Sequence, residues 1–141
     1  FLKQIGASSI VAREDARAGA DRPMLAEQWG GAVDTVGGEI LFNAVKGLRY
    51  GCSLAACGLV DSPAIPASVL PFILRHVNLL GIDSVQLPLA QKREIWLKLA
   101  GDWQLPELDA LKRPLSLDTV SDAIDKILAG EMVGRGLLVH G

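Results

Sequence analysis

The chain has 141 residues, of which half are hydrophobic and 21% charged, and its formal net charge is −2. That length can bury a sizeable core, and that composition excludes a disordered chain. The 14 basic residues are scattered rather than striped, which excludes a nucleic-acid footprint; no apolar run approaches the ~20 residues that span a bilayer, and no secretory signal is legible in these residues.

In chain order, Phe1–Ala7 reads as the last turn of a helix stopped by Gly6. A helix without a cap ahead of it is an unusual opening, so we expect a piece of a longer protein. Ser8–Ala12 is β-branched and apolar, a predicted strand, and Glu14–Gln28 is a predicted loop with a short helical piece from Met24. Ala32–Val36 is a buried strand. Glu39–Leu48 places Ile40, Leu41, Ala44, Val45 and Leu48 at helical spacing, and Cys52–Cys57 is the next strand.

Pro63 and Pro66 keep Leu59–Pro66 a loop. Ala67–Arg75 is helical, with Pro71 in a first turn, and Val77–Asp83 is another apolar strand. Leu89–Ala100 is a helix whose Leu89, Trp96 and Leu99 share a predicted buried face. Gly101–Arg113 is irregular. A short strand over Pro114–Leu117 leads into a helix starting at Ser116 or Asp118, with Val120, Ala123, Ile124, Ile127 and Leu128 on its apolar face and Gly130 as its stop. Leu137–Val139 is the final strand.

Residues 31–58 carry the most information. An apolar run ends in Gly37-Gly38, an amphipathic stretch follows, and a second apolar run ends in Gly58. That is strand–helix–strand grammar for a parallel α/β sheet, in which ligands bind outside the carboxyl ends of the strands. Asp34–Gly38 is open to two readings. One is a ligand-lining loop, because glycine lets a backbone come close to a ring or a ribose; the other is a strand-to-helix turn in which Asp34 satisfies nearby amides.

Other site chemistry is sparse. Cys52 and Cys57 lie an odd number of residues apart in one predicted strand, so they face opposite ways and form no disulfide; both read as small buried hydrophobes, in keeping with a reducing cytoplasm. His76, His140 and the two cysteines form no short-spaced ligand set, so no metal is expected. Ser84, His76 and Asp83 lack a GxSxG elbow, so no hydrolytic triad is expected. Neither GxGxxG nor GxxxxGKS/T occurs, and Gly30-Gly31 precedes a strand rather than following one. Arg13, after the first predicted strand, has two readings: a phosphate or adenine partner, or a solvated loop arginine.

Gly31-Ala32-Val33-Asp34-Thr35-Val36-Gly37, Ala55-Ala56-Cys57-Gly58-Leu59, Pro71-Phe72-Ile73-Leu74-Arg75, Leu80-Gly81-Ile82-Asp83-Ser84-Val85 and the ending Gly134-Arg135-Gly136-Leu137-Leu138-Val139 together carry a family resemblance. The chain resembles the C-terminal part of zinc-independent medium-chain dehydrogenases/reductases, in the acrylyl-CoA reductase and quinone oxidoreductase branch. The resemblance implies a partial Rossmann-type parallel sheet over residues 1–84, the second half of an NADP-binding domain. It implies that 85–141 returns to a GroES-like catalytic domain. The intact protein would bind NADPH and pass its hydride to a double bond conjugated to a carbonyl, in an enoyl-CoA, enone or quinone. Arg13 would lie on the adenosine phosphate side. Val36, Leu59, Ile73 and Ser84 would line the ribose–nicotinamide end, and the segment before Gly134, with Val133, would close over the cofactor. No residue of this chain is assigned a catalytic role, and no metal is implied. The phosphate loop is absent from these residues, so the chain alone is expected to show no turnover and to bind NADPH weakly or not at all.

Two further readings compete. In one, the chain is a non-catalytic module that dimerises through the edge strand at 77–83, as family members do. In the other, it is a free-standing flavodoxin-like domain, which would need a complete N-terminal strand–helix unit that the sequence lacks.

Overall fold

The computed structural model describes residues 1–140. It comprises two compact units, Val11–Pro88 in one and Phe1–Ile10 with the residues from Leu89 onward in the other. The chain is mixed α/β, and every strand pair is parallel.

The larger unit opens with the short helix α1 (Arg13–Arg17). The sheet then runs through β1 (Ala32–Asp34), β2 (Ser53–Ala56) and β3 (Asn78–Gly81), in that spatial order. Helix α2 (Gly38–Lys46) connects β1 to β2, and α3 (Leu70–Arg75) precedes β3. The core holds Leu41, Val45 and Leu48 of the expected apolar face together with Phe42, Leu54 and Val77, while Ile40 and Ala44 of that face are half-buried. Apolar spacing of three and four along α2 turns one face onto the sheet. Each such side chain contributes about 1.5–3 kcal/mol by leaving water.

The predicted strand at Ser8–Ala12 does not form; Ile10 and Val11 are more than half exposed. A β-branched run becomes a strand only against a neighbour, and none pairs with it among the described residues. The helix expected from Met24 is also absent, because that backbone is committed elsewhere. The Leu25 amide donates to the Lys46 carbonyl, and the Gln28 and Trp29 amides both donate to that of Gly47. Two cations hold the same segment. The buried Lys46 ammonium donates to the carbonyls of Gly19, Ala20 and Arg22 at 2.9–3.0 Å. Arg75 Nη2 donates to the Leu25 carbonyl at 2.7 Å and Nη1 to that of Lys46 at 2.8 Å. Burial pushes the Lys46 pKa below its ordinary value, with Asp21 and Glu39 pulling it part of the way back.

In the smaller unit, Phe1–Ala7 closes with the bond pair of a Schellman stop. The Ala7 amide donates to the Leu2 carbonyl and the Gly6 amide to that of Lys3, with Gly6 at φ +101°. Helices α4 (Leu89–Ala100) and α5 (Leu108–Leu111) precede β4 (Lys112–Leu115), α6 (Val120–Leu128) and β5 (Arg135–Leu138). Strands β4 and β5 pair in parallel across α6, which ends in the same bond pattern at Gly130. Helix α6 starts later than expected, because the amide of Ser116 bonds the Thr119 hydroxyl in a turn ahead of it. The buried face predicted for α4 is not buried: Leu89 and Trp96 are 74% and 69% exposed. The apolar residues of α4 are spread around the helix, so no single face is covered.

Candidate functional site

The carboxyl ends of β1 and β2 are stitched together. The Asp34 carbonyl accepts both the Cys57 amide, at 2.9 Å, and the Cys57 thiol, at 3.3 Å. The Asp61 amide donates to the Val36 carbonyl, and Gly37 forms a parallel bridge with Ser62. Asp34 is buried, and its Oδ2 accepts the amides of Val36 at 3.2 Å and Gly37 at 2.8 Å. Of the two readings of Asp34–Gly38, this is the strand-to-helix turn. A Cβ on Gly58 would lie 2.2 Å from the Thr35 carbonyl oxygen, and one on Gly37 2.3 Å from that of Ser62. Both glycines permit backbone-to-backbone closure of the two loops.

An opening exists one strand further along. A groove of about 490 Å³ lies at the carboxyl ends of β2 and β3, lined by Ala56–Leu59 and by Gly81, Ile82 and Asp83. A Cβ on Gly81 would meet only open space. The walls are apolar apart from backbone, the Cys57 thiol and Asp83. Asp83 Oδ1 is already engaged by the amides of Val85 and Gln86, at 2.9 and 2.8 Å. No cation lines the groove. Such a lining suits a flat, uncharged ring with an amide to pair against backbone, and suits a phosphate badly.

Of the residues singled out from the sequence, Leu59 lines this groove and is 64% exposed. Ser84 follows Asp83 in an exposed turn. Val36 is half-buried on the β1 loop, and the backbone of Leu59 packs against Gly37 beside it. Ile73, on α3, and Arg13, in the first turn of α1, are exposed and outside the groove lining. Val133 is exposed, in the smaller unit. Sequence reasoning did not place Cys57 at the groove. It is exposed on the groove wall, not a buried hydrophobe, because the strand ends at Ala56 and the thiol turns back to the Asp34 carbonyl. Cys52 is half-buried. Among the described residues no cluster of histidine, cysteine and carboxylates is arranged to hold a metal, and no helix is long and apolar enough to cross a membrane.

A parallel sheet with an open groove at its strand carboxyl ends defines the open α/β class, whose ligands bind at that edge. By sequence and by fold the chain is homologous to medium-chain dehydrogenases/reductases, in the acrylyl-CoA reductase and quinone oxidoreductase branch. It is 42% identical over 135 residues to acrylyl-CoA reductase AcuI of Ruegeria pomeroyi, a match over 96% of this chain and 41% of that one. The Bacillus subtilis protein YhfP, named as a quinone oxidoreductase, is 40% identical over 136 residues, again 96% and 41%. Its crystal structure, with NAD bound, superposes with a TM-score of 0.93 over 99% of this chain and 43% of that one. The YhdH oxidoreductase of Salmonella enterica, in complex with NADP, gives 0.89 at 37% identity, over 99% and 43%. The chain therefore spans about two fifths of the length of these relatives. No family model matches it.

Proposed function

We propose that this chain supplies the nicotinamide-side half of a nucleotide-binding domain in an NADPH-dependent oxidoreductase. Its substrate would be a carbonyl-conjugated double bond or a quinone, as in an acrylyl-CoA reductase. The carrying observation is the largely apolar groove, lined by no cation, at the carboxyl ends of β2 and β3. Relatives crystallised with NADP or NAD support the cofactor. NADPH itself supplies the hydride. The chain's own part is to hold the ring: Leu59 and Ile82 flank it and exclude water, and backbone groups at Cys57–Leu59 and Ser84 orient its carboxamide. Val36 and Ile73 extend the apolar surface, Arg13 serves the adenosine phosphate side, and Val133 closes over the cofactor. Residues 1–84 form the nucleotide-binding part and 85–141 the return to a catalytic domain, with no zinc required.

Lacking a phosphate loop, this chain is expected to bind NADPH weakly and to turn over nothing. Nuclear magnetic resonance at millimolar NADPH tests this. The largest shifts are expected at residues 56–59 and 81–84, with smaller ones at Val36 and Ile73, all abolished by Leu59→Asp. Shifts that spare both groove segments would sink the groove assignment, and steady NADPH oxidation by the chain would overturn the expected inactivity.

A second reading rests on β3. It is an edge strand, with Leu80 within it and Ile82 just after it about half exposed, and an apolar edge invites a second copy. Dimerisation without nucleotide, lost on Leu80→Lys, would favour an assembly role for strand 77–83.

A further inference from the structure

One wall of the groove is the segment that follows β2, Cys57, Gly58 and Leu59. Each of these residues is seated on a different residue of the turn that follows β1. The Cys57 amide and thiol both donate to the Asp34 carbonyl. Gly58 lies so close to Thr35 that a Cβ on it would stand 2.8 Å from the Thr35 Cα. The Leu59 Cα lies 3.2 Å from where a Cβ on Gly37 would stand. The level of the wall therefore follows the shape of the turn. That shape includes two successive glycines at positive φ, +76° at Gly37 and +62° at Gly38. Glycine reaches many other conformations as readily, so the turn needs an external hold. Asp34 supplies it from within: it is 7% exposed, and its Oδ2 accepts the Val36 and Gly37 amides together. The Asp61 amide on the Val36 carbonyl and the Gly37–Ser62 bridge fix the far side of the same turn, beyond the wall. The opposite wall is built separately, since Asp83 Oδ1 holds its own turn through Val85 and Gln86.

We propose that Asp34 is a positioning residue for the nicotinamide ring. It does not line the groove, yet its carboxylate fixes the turn and its carbonyl grips Cys57. Together these set the level at which the backbone of Cys57–Leu59 meets the ring's carboxamide. This role rests on the reading of the groove as the nicotinamide end. Hydrogen bonds weaken steeply once donor and acceptor fall out of line, so a small displacement of the wall costs affinity without emptying the groove. The part Asp34 plays is geometric rather than electrostatic. An amide oxygen in the same place accepts the same two backbone amides, so asparagine is the conservative replacement and alanine the disruptive one.

The test titrates NADPH into the 141-residue chain and into its Asp34 variants, followed by amide resonances at a temperature where each is fully folded by circular dichroism. In the ligand-free Asp34→Ala chain, the resonances of Cys57, Gly58 and Leu59 should move while those of Gly81, Ile82 and Asp83 stay in place. Its dissociation constant for NADPH should rise about tenfold, and Asp34→Asn should return it to within about twofold of the parent. A merely structural role would lower the melting temperature of Asp34→Ala and leave its affinity alone. Asp34→Ser, whose hydroxyl keeps one acceptor, serves if Asp34→Ala fails to fold, and its loss of affinity should fall between the other two. Unchanged affinity in a folded Asp34→Ala or Asp34→Ser chain would overturn the proposal while leaving the cofactor reading intact. Asp34→Asn as weak as Asp34→Ala would overturn it too, by making the charge rather than the turn responsible. A parent chain whose groove amides ignore NADPH would sink the cofactor reading itself, and the ring as the group that Asp34 positions.

Discussion

Cys57 donates to the Asp34 carbonyl twice, through its amide at 2.9 Å and through its thiol at 3.3 Å. This pair ties the carboxyl ends of β1 and β2 together beside the groove at β2 and β3. Its geometry depends on how tightly two glycine loops can approach each other.

Gly58→Ala tests that approach. The new Cβ would meet the Thr35 carbonyl oxygen at 2.2 Å, backbone against backbone, with no flexible side chain to yield. A loss of about 3 kcal/mol in urea unfolding is expected. Gly81→Ala, whose Cβ meets open space, should cost much less and serves as the control.

Asp34→Ala leaves the amides of Val36 and Gly37 without their acceptor in a buried turn. Stability should fall by about 2 kcal/mol, and Asp34→Asn, which keeps one acceptor oxygen, should lose about half of that. Equal losses would mean that the carboxylate charge, rather than the turn geometry, carries the interaction.

Lys46→Met removes the donor to three carbonyls and should cost about 2 kcal/mol at neutral pH. The pH dependence has a definite sign. Burial lowers the folded-state pKa below the ordinary 10.5, so between the two values the unfolded chain holds the extra proton and stability rises with pH. The stability difference between the parent chain and Lys46→Met, followed by urea unfolding, should grow in favour of the parent as pH climbs through the lowered value towards 10.5, and level off above it. A difference that shrinks with pH over that window would contradict the burial argument.

Arg75→Lys keeps the charge but loses the fork that spans Leu25 and Lys46 while reaching Glu27 through Nε at 3.5 Å. A loss of about 1.5 kcal/mol is expected, together with faster amide exchange at Gln28 and Trp29. Unchanged exchange there would show that the Gly47 carbonyl alone holds the segment.

Much of the fold was legible because its signals are local. The three-and-four spacing of Leu41, Val45 and Leu48, and the glycines that stop the turn at Gly6 and helix α6 at Gly130, act within a few residues of themselves. The apolar runs ending in glycine marked β1 and β2 for the same reason, and the family motifs added the class of cofactor. Sequence alone thus marked where β1, α2, β2, α3, β3, α4, α6 and β5 lie and that the sheet is parallel, while α1 and α5 carried no such local signal.

Tertiary structure decided the rest, through contacts between residues far apart in sequence. Ser8–Ala12 has strand propensity but no described neighbour to pair with, so it forms no regular structure. Residues 24–28 have their backbone groups taken by Lys46, Gly47 and Arg75, two helices away, so no helix forms. The choice between a ligand loop and a closed turn at Asp34 depended on Cys57, Asp61 and Ser62, whose arrival at that edge no local pattern records. Local propensity is written in the neighbours of a residue; register, loop closure and the place of a groove are set by partners that only folding brings together.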